Sequence, residues 1–235
     1  MSDAIRIVAV AAGRGGTGKS TLSFALAHAL RARGQDVALV DLDPQAGLTT
    51  MAGKGGVANP TAAEPVVVHG VTLYRGGRAL SHATDAAIVR LLERAVKGGE
   101  DRLVIADMPP ALHDRVHRLL FDRDDVFVIG AIKCEPASLP TTSELVAMLT
   151  RAGRPHVLVP TFTTTAKRKA LNATALALRG NYPEHMAETS IPSDMKAAEC
   201  PVDAMPATLY APKSRYAQAV GELIDEVLAV APAEG

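Results

Sequence analysis

The chain has 235 residues, a formal net charge of zero and an isoelectric point near 7.1, so any binding to nucleic acid requires a local patch of positive charge. Hydrophobic residues make up 48% of the sequence, which is enough for the core of an α/β domain of this length. Aromatic residues make up only 3%, with no tryptophan, which disfavours an aromatic platform for stacking nucleic-acid bases.

The two cysteines, Cys134 and Cys200, lie far apart, and neither belongs to a C-x-x-C pair. This spacing argues against a structural zinc site or an iron–sulfur cluster held by one chain, and it fits a reducing compartment. The N-terminus lacks the pattern of a signal peptide, and no apolar run reaches the roughly 18 residues of a membrane span. We therefore expect a cytoplasmic protein without a membrane span.

The first part of the chain predicts a strand, a loop and a helix. Ile5 to Ala11 is a nearly continuous apolar run, typical of a strand that is buried on both faces. Apolar residues then recur at helical spacing between 22 and 30, and Gly34 predicts the end of that helix. Between strand and helix, GRGGTGKST from Gly13 to Thr21 fits the phosphate-loop pattern G-x-x-x-x-G-K-[ST] in the structural order that this motif requires.

The rest of the chain continues the alternation. Strands are predicted at 36–42, at 66–74 with a break at Gly70, and at 102–107, 126–132, 157–159 and 189–192. Helices are predicted at 86–96, 138–152, 167–178 and 216–230, and 51–65 is expected to be a loop. Strands that alternate with helices predict a mostly parallel, doubly wound sheet with helices on both faces. Because no repeat or linker interrupts the pattern, we expect one α/β P-loop NTPase domain over 1–235.

The phosphate loop predicts a nucleotide site. Its glycines let successive backbone N–H groups face phosphate oxygens, and the next helix presents its positive end to the anion. We expect Lys19 to bind the β- and γ-phosphates of ATP and Ser20 to be a ligand of Mg²⁺. The expected phosphate-binding residues are Gly15, Gly16, Thr17, Gly18, Lys19, Ser20 and Thr21.

Two acidic strand ends are expected at the same edge of the sheet, where ligands bind in parallel sheets. Asp107 ends the run RLVIAD and is the expected Walker B acid, which holds Mg²⁺ directly or through water. Asp43, in DLDPQ, is placed to orient the attacking water or to sense the γ-phosphate. An aspartate after a strand is often only a turn or cap residue, and Asp41 either caps its strand or supports the site.

Other polar residues give weaker signals. His113 and His117 have helical spacing but no third ligand nearby, so an ordinary helix face is the expected role. Cys134 is expected to pack as a small apolar group. Glu135 and Pro136 either line the nucleotide site or its dimer edge, or form a buried turn.

The combination of GRGGTGKST, DLDPQ and IADMPP resembles the deviant Walker ATPases of the ParA/MinD family, above all its ParA-type partitioning ATPases. The resemblance continues through VFVIGAIKCEPASL, TSIPSDMKAAECP and TLYAPKSRYAQAVGELIDEVL and so covers nearly the whole chain. It implies an ATPase that forms a homodimer around two ATP molecules and binds DNA without sequence preference in that state. It also implies a ParB-like or other protein that stimulates hydrolysis, and a role in segregating chromosomes or plasmids or in positioning other cargo.

The chief departure from the family pattern is Arg14, where the family normally has a lysine that reaches the nucleotide of the other subunit. The resemblance makes Arg14 a catalytic candidate beside Lys19 and Asp43. An arginine keeps the positive charge but replaces the compact ammonium group of lysine with a planar guanidinium group. Arginine is itself a residue that stabilises charge on a transferring phosphate. The alternative is a solvated loop residue.

DNA contact is expected in the carboxy-terminal third, where basic residues outnumber acidic ones. Lys196, Lys213 and Arg215 fall in segments that resemble the DNA-binding positions of ParA proteins, although Ser193 stands where that family often has an arginine. The basic run from 167 to 169 is more typical of a solvated face. The last helix is acidic and lacks the basic amphipathic tail of a MinD-like anchor, so we expect DNA and no membrane as the binding surface.

Two other functions stay open on the sequence. A small-molecule P-loop kinase or ligase would account for the loop and the acids, but not for Arg14 or the KSR segment. An ATP-binding positioning scaffold with little turnover is compatible with Arg14 and Ser193.

Overall fold

The computed structural model describes residues 5–99, 101–110, 112, 114–164 and 169–230, with side chains throughout except at 169–172, 200, 201 and 230. His113, Lys167 and Arg168 lie outside the described residues, as does the side chain of Lys169. Within these ranges, no helix has the length and apolar character needed to cross a bilayer.

The strands are β1 Ile7–Ala11, β2 Val37–Asp41, β3 Val66–Val68, β4 Val71–Tyr74, β5 Leu103–Asp107, β6 Val126–Lys133, β7 His156–Thr163 and β8 Ile191–Pro192. In the described part of the chain they form one sheet in the order β3-β4-β2-β5-β1-β6-β7-β8. Neighbouring strands are parallel except for the β3–β4 hairpin. The predicted mostly parallel α/β sheet is confirmed. Gly70 interrupts 66–74 because it lies in the hairpin turn, where its φ is 81°.

The α-helices are α1 Lys19–Ala32, α2 Gly47–Met51, α3 Asp85–Lys97, α4 Arg115–Phe121, α5 Leu139–Arg151, α6 Lys169–Asn181, α7 Met195–Glu199, α8 Ala207–Tyr210 and α9 Arg215–Val230. Short 3-10 helices occupy Arg78–His82, Pro136–Ser138 and Cys200–Asp203. The long helices α1, α3, α5, α6 and α9 lie at predicted positions. The sequence pattern misses α2, α4, α7 and α8, because four to seven residues are too few to display a helical period.

Hydrophobic cores cover both faces of the sheet. Along β1, Val8 and Val10 face the core formed with α1 and α9, whereas Ile7, Ala9 and Ala11 face the core formed with α3, α4 and α5. Because both faces are covered, all five residues of β1 are buried. This burial explains why the strand reads as a continuous apolar run and not as an alternating one.

The strand β7 is longer than the predicted 157–159. It continues beyond Pro160 to Thr163; Thr161 pairs with both β6 and β8, and Thr163 pairs with β8. The register shifts between these threonines, and Phe162 between them has a left-handed backbone with φ of 54°. Pairing with neighbouring strands, which a hydrophobicity pattern does not report, sets this strand's end.

The strand order places a binding crevice at the carboxyl end of β1. On one side of β1 lie β5 and β2, and on the other lie β6 and β7. In open parallel sheets, ligands bind outside the carboxyl ends of the strands at the point where the order reverses. The glycine loop follows β1 at this point and leads into α1.

Candidate nucleotide site

The loop between β1 and α1 has the backbone that its glycines permit. Gly16 and Gly18 have φ of 73° and 84°, in the left-handed region that favours glycine. Gly13 is required for a different reason, since a Cβ there would lie 2.5 Å from Cβ of Thr141 on α5. Gly18 has no side chain to cap α1, which leaves the first N–H groups of the helix for an anion.

Two side chains of the loop are buried and polar. Lys19 is only 6% exposed, although it carries a charged amine at the first position of α1. Thr17 is buried, and its Oγ1 has no hydrogen-bond partner in the described part of the chain. The Thr17 carbonyl accepts a hydrogen bond of 2.8 Å from Oγ1 of Thr161, which ties the loop to β7. A buried hydroxyl without a partner is a group that a ligand can satisfy.

Asp107 lies at the end of β5, beside the first turn of α1. Its carboxylate is fully buried and accepts hydrogen bonds from Oγ of Ser20 at 2.6 Å and from Oγ of Ser23 at 3.1 Å. Burial and, to a smaller extent, the charge of Asp43 raise the pKa of Asp107 to about 6. The charge of Lys19 and the two serine hydroxyls oppose that rise in pKa. A hydroxyl and a carboxylate side by side form the hard-oxygen donor set that suits Mg²⁺.

The two aspartates after β2 have different surroundings. Asp43 accepts the backbone N–H of Gln45 at 2.8 Å, and its own N–H donates to Asp41 at 3.1 Å. Asp41 is fully buried and accepts two further bonds from Thr49, from its N–H at 2.8 Å and its hydroxyl at 2.7 Å. Burial, followed by the charge of Asp107, raises the pKa of Asp41 to about 7. Asp41 therefore anchors the turn that carries Asp43.

The hydrogen bonds around Asp41 and Thr49 extend to the segment after β4. The Thr49 hydroxyl accepts the backbone N–H of Gly76 at 2.8 Å. A Cβ at Gly76 would lie 2.7 Å from Cγ of Asp41, so this glycine allows a close approach to the carboxylate. Thr49 consequently connects β2, α2 and the chain after β4.

A cavity of about 230 Å³ opens beside the start of α1. Its wall includes Gly18 and Leu22 from the phosphate-loop side, Phe162 from β7, and Pro192 and Tyr216 from the carboxy-terminal part of the chain. The lining is mostly apolar, which contrasts with the charged cluster around Lys19. The crevice thus has a polar end and an apolar end.

Arg14 lies at the open edge of the loop and is paired within its own chain. Its guanidinium contacts the carboxylate of Glu135, and Nζ of Lys133 contacts the other oxygen of that carboxylate at 3.0 Å. The Arg14 side chain is 37% exposed. The hydrogen bond and charge of Lys133, together with Arg14, hold the pKa of Glu135 below its usual range. Glu135 therefore lies at the edge of the site.

The residues expected to contact DNA are not part of this cluster. Lys196 lies on α7, Lys213 precedes α9, and Arg215 is the first residue of α9; all three are exposed. Ser193 is exposed as well, and its N–H donates to the carbonyl of Thr163 at 2.8 Å. The elements α7, α8 and α9 contact one another in succession.

The structure adds polar residues that the sequence analysis does not single out. Ser23 follows Ser20 by one helical turn, so helical spacing was a usable signal for its place beside Asp107. Thr49 and Thr161 reach the site through tertiary contacts, and no spacing in the sequence identifies them.

Comparison with known proteins agrees with this geometry. Residues 8–224 match the family described as the CobQ/CobB/MinD/ParA nucleotide binding domain. The chromosome-partitioning ATPase Soj of Thermus thermophilus is 32% identical over 241 residues, which cover 96% of this chain and 96% of Soj.

Two solved structures are similar in fold. The septum site-determining protein MinD of Pyrococcus horikoshii, complexed with Mg-ADP, has a TM-score of 0.75 at 21% identity and covers 97% of this chain and 99% of that one. Cobyrinic acid a,c-diamide synthase of Mycobacterium smegmatis, with a bound ATP analogue and magnesium, has a TM-score of 0.74 at 25% identity and covers 95% and 94%. With its phosphate loop and near-complete coverage, the chain belongs to the CobQ/CobB/MinD/ParA family of P-loop nucleotide-binding proteins.

Proposed function

We propose that this chain is a ParA-type ATPase that dimerises with ATP, binds DNA without sequence preference and moves or positions DNA or other cargo. The observation that carries the proposal is the cluster in which Ser20 and Asp107 are hydrogen-bonded beside the buried Lys19. The family and the similarity to Soj, a chromosome-partitioning ATPase, support the cellular role. The protein would act in the cytoplasm, on the nucleoid while it holds ATP.

In the proposed reaction, the loop from Gly15 to Thr21 binds the ATP phosphates through its N–H groups and Lys19. Ser20 and Asp107 would hold Mg²⁺, which would neutralise phosphate charge when bound. Asp43 would orient the water that attacks the γ-phosphate. Its backbone N–H bond to Asp41 keeps the turn that carries Asp43 at the sheet edge.

Arg14 would complete the site of the second subunit. It is exposed at the edge of the loop, and its ion pair with Glu135 must open before the guanidinium can reach a partner's nucleotide. The pair is partly exposed, and solvent screening lowers its contribution to stability, so release of Arg14 on dimerisation is energetically feasible. A ParB-like stimulating protein would then act on the assembled dimer.

Lys196, Lys213 and Arg215 would form the DNA contact. All three are exposed, and they lie on or next to elements that contact one another in succession. Contacts from such side chains to phosphate carry no sequence information and weaken with salt. The helix α1, which follows the phosphate loop, and α7, α8 and α9 pack on the same face of the sheet.

The test is binding to arbitrary duplex DNA at several salt concentrations, with ATP, ADP or no nucleotide. We expect binding that requires ATP and falls with salt. The variant Lys196→Ala/Lys213→Ala/Arg215→Ala should bind less tightly and lose up to about 3 from the slope of log affinity against log salt.

The matched control is Arg90→Ala/Lys97→Ala/Arg151→Ala, which removes the same charge from exposed positions on α3 and α5, across the sheet. It should bind DNA like the unmodified protein. Equal loss in both triple variants would mean that overall charge is responsible. ATP binding without nucleotide-dependent DNA affinity would overturn the DNA part of the proposal.

A second candidate is an ATP-dependent ligase or kinase for a small molecule, which the similarity to the cobyrinic acid a,c-diamide synthase favours. A phosphorylated or amidated product from a metabolite mixture would identify it. A third candidate, a positioning scaffold, would bind ATP without partner-stimulated hydrolysis.

A further inference from the structure

Phe162 differs from the other phenylalanines of the chain. Of the four, Phe24, Phe121 and Phe127 are at most 2% exposed, whereas Phe162 is 40% exposed. Its backbone φ of 54° lies in the left-handed region that residues with a Cβ rarely adopt. Core packing therefore does not explain why a phenylalanine stands here. A left-handed backbone at a residue with a side chain persists only where the surrounding structure holds it, and such positions are often found at functional sites.

Contacts on either side hold Phe162 in place. The preceding Thr161 donates its hydroxyl to the Thr17 carbonyl at 2.8 Å, which ties this part of β7 to the phosphate loop. The ring lies against Gly18, where a Cβ would be only 3.2 Å from Cε2 of the ring. The amine of Lys133 lies 5.7 Å from the ring centroid. The ring is thus fixed beside the first turn of α1.

The ring also forms part of the wall of the 230 Å³ cavity at the apolar end of the crevice. This volume is below the ~300–1,000 Å³ of a complete small-molecule pocket, so the cavity suits one end of a ligand whose other end lies on the phosphate loop. Leu22 and Pro192 contribute further apolar surface. A flat aromatic base that is joined to phosphates through a sugar, as in a nucleotide, matches this arrangement.

We propose that Phe162 holds the base of the bound nucleotide by stacking and so makes the site prefer a nucleoside triphosphate to inorganic triphosphate. This inference rests on the proposed binding of ATP. Stacking on an aromatic ring uses the π-face that every base has. ATP and GTP therefore depend on the ring alike, and Phe162 discriminates a nucleotide from a bare polyphosphate, not one base from another.

The experiment is isothermal titration of the full chain with Mg-ATP, Mg-GTP and magnesium with inorganic triphosphate. In Phe162→Ala, we expect the Kd for ATP and for GTP to rise by about 5- to 150-fold, because stacking of one base contributes ~1–3 kcal/mol. The affinity for inorganic triphosphate should not change. Phe162→Tyr should retain the affinity for ATP, and Leu176→Ala, at another exposed apolar residue, should leave all three ligands unaffected.

Phe162→Gly separates the ring from the strained backbone, because glycine adopts this φ without strain. It should lose ATP affinity as Phe162→Ala does. Retained ATP affinity in Phe162→Gly, or an equal loss for inorganic triphosphate in Phe162→Ala, would overturn the stacking role. If the unmodified protein binds inorganic triphosphate as tightly as ATP, only this inference fails. If it binds neither ligand, the proposed function fails with it.

Discussion

The inner site and the outer groups of this molecule are built in different ways. The inner site, consisting of Lys19, Ser20, Asp41, Asp43 and Asp107, is largely buried, and its carboxylates accept hydrogen bonds from hydroxyls and backbone N–H groups of the same chain. The outer groups, consisting of Arg14, Lys196, Lys213 and Arg215, are partly or fully exposed.

The difference between the two regions shows which functional groups are positioned by folding alone. Buried polar groups must find partners during folding, so the geometry of the inner site is fixed before any ligand arrives. Exposed cations need no such partner, because water solvates them. In the proposed function, their arrangement would act only when a second molecule, such as another subunit or DNA, supplies the opposite charge. The comparison therefore predicts different consequences for substitutions in the two regions.

The largest effect is expected for Lys19→Ala. Removing the buried amine that we propose binds two phosphates should weaken ATP binding on the order of 100-fold, because a hydrogen bond to a charged group contributes ~1.5–3 kcal/mol. Titration with Mg-ATP measures the change, and thermal unfolding tests whether the fold is intact. The exposed Lys54→Ala is the control and should bind ATP normally. An ATP affinity near normal in Lys19→Ala would remove Lys19 from the inner site.

The next effect concerns Arg14→Ala. We expect the rate of ATP hydrolysis in the presence of DNA to fall about tenfold or more, since an arginine at a transferring phosphate stabilises developing charge. ATP affinity and thermal stability should stay nearly unchanged, because the side chain is partly exposed at the edge of the loop and belongs to the outer groups. Phosphate release and sedimentation with ATP measure turnover and dimerisation.

Two variants sharpen the test of Arg14. Arg14→Lys should restore part of the turnover, because it returns the charge without the planar fork. Arg33→Ala removes another exposed arginine, which is paired with Asp225 at 2.6 Å, and should not affect hydrolysis. Normal turnover and dimerisation in Arg14→Ala would leave Arg14 as a solvated loop residue.

A smaller effect is expected for Gly76→Ala, which tests the support of the inner site. Its Cβ would lie 2.7 Å from Cγ of the buried Asp41, and such overpacking costs ~1–3 kcal/mol. We therefore expect a lower Tm, by about 2–4 °C per kcal/mol for a chain of this size. Gly55→Ala is the matched control, because a Cβ there meets nothing within 4 Å. Equal Tm values in both variants would show that the chain at Gly76 can move away from Asp41.

The same contrast determines how far the sequence predicts the structure. Buried strands such as β1 and β5 are apolar runs because helices cover both faces of the sheet, and the phosphate loop has a fixed spacing. The fold and the positions of Lys19 and Asp107 follow from these local patterns. Thr49 and Glu135 reach the site from other elements, so only the folded chain brings them there.

The last effect is the pH dependence of the nucleotide-free protein. Burial raises the pKa of Asp41 in the folded chain from 3.8 to about 7. Between these values the folded state retains a proton that the unfolded state has lost, so stability falls as pH rises through this window and levels off above it. We expect the Tm to decrease between pH 5 and pH 8, and to decrease less in Asp41→Asn, which cannot ionise. The slope should not vanish, because the pKa of Asp107 is raised as well.

Substituting the exposed Asp203 with Asn is the control for a general charge effect. Identical slopes in Asp41→Asn and the unmodified protein would mean that Asp41 is already ionised at pH 5, held by its bonds from Thr49 and Asp43 more strongly than burial opposes its charge.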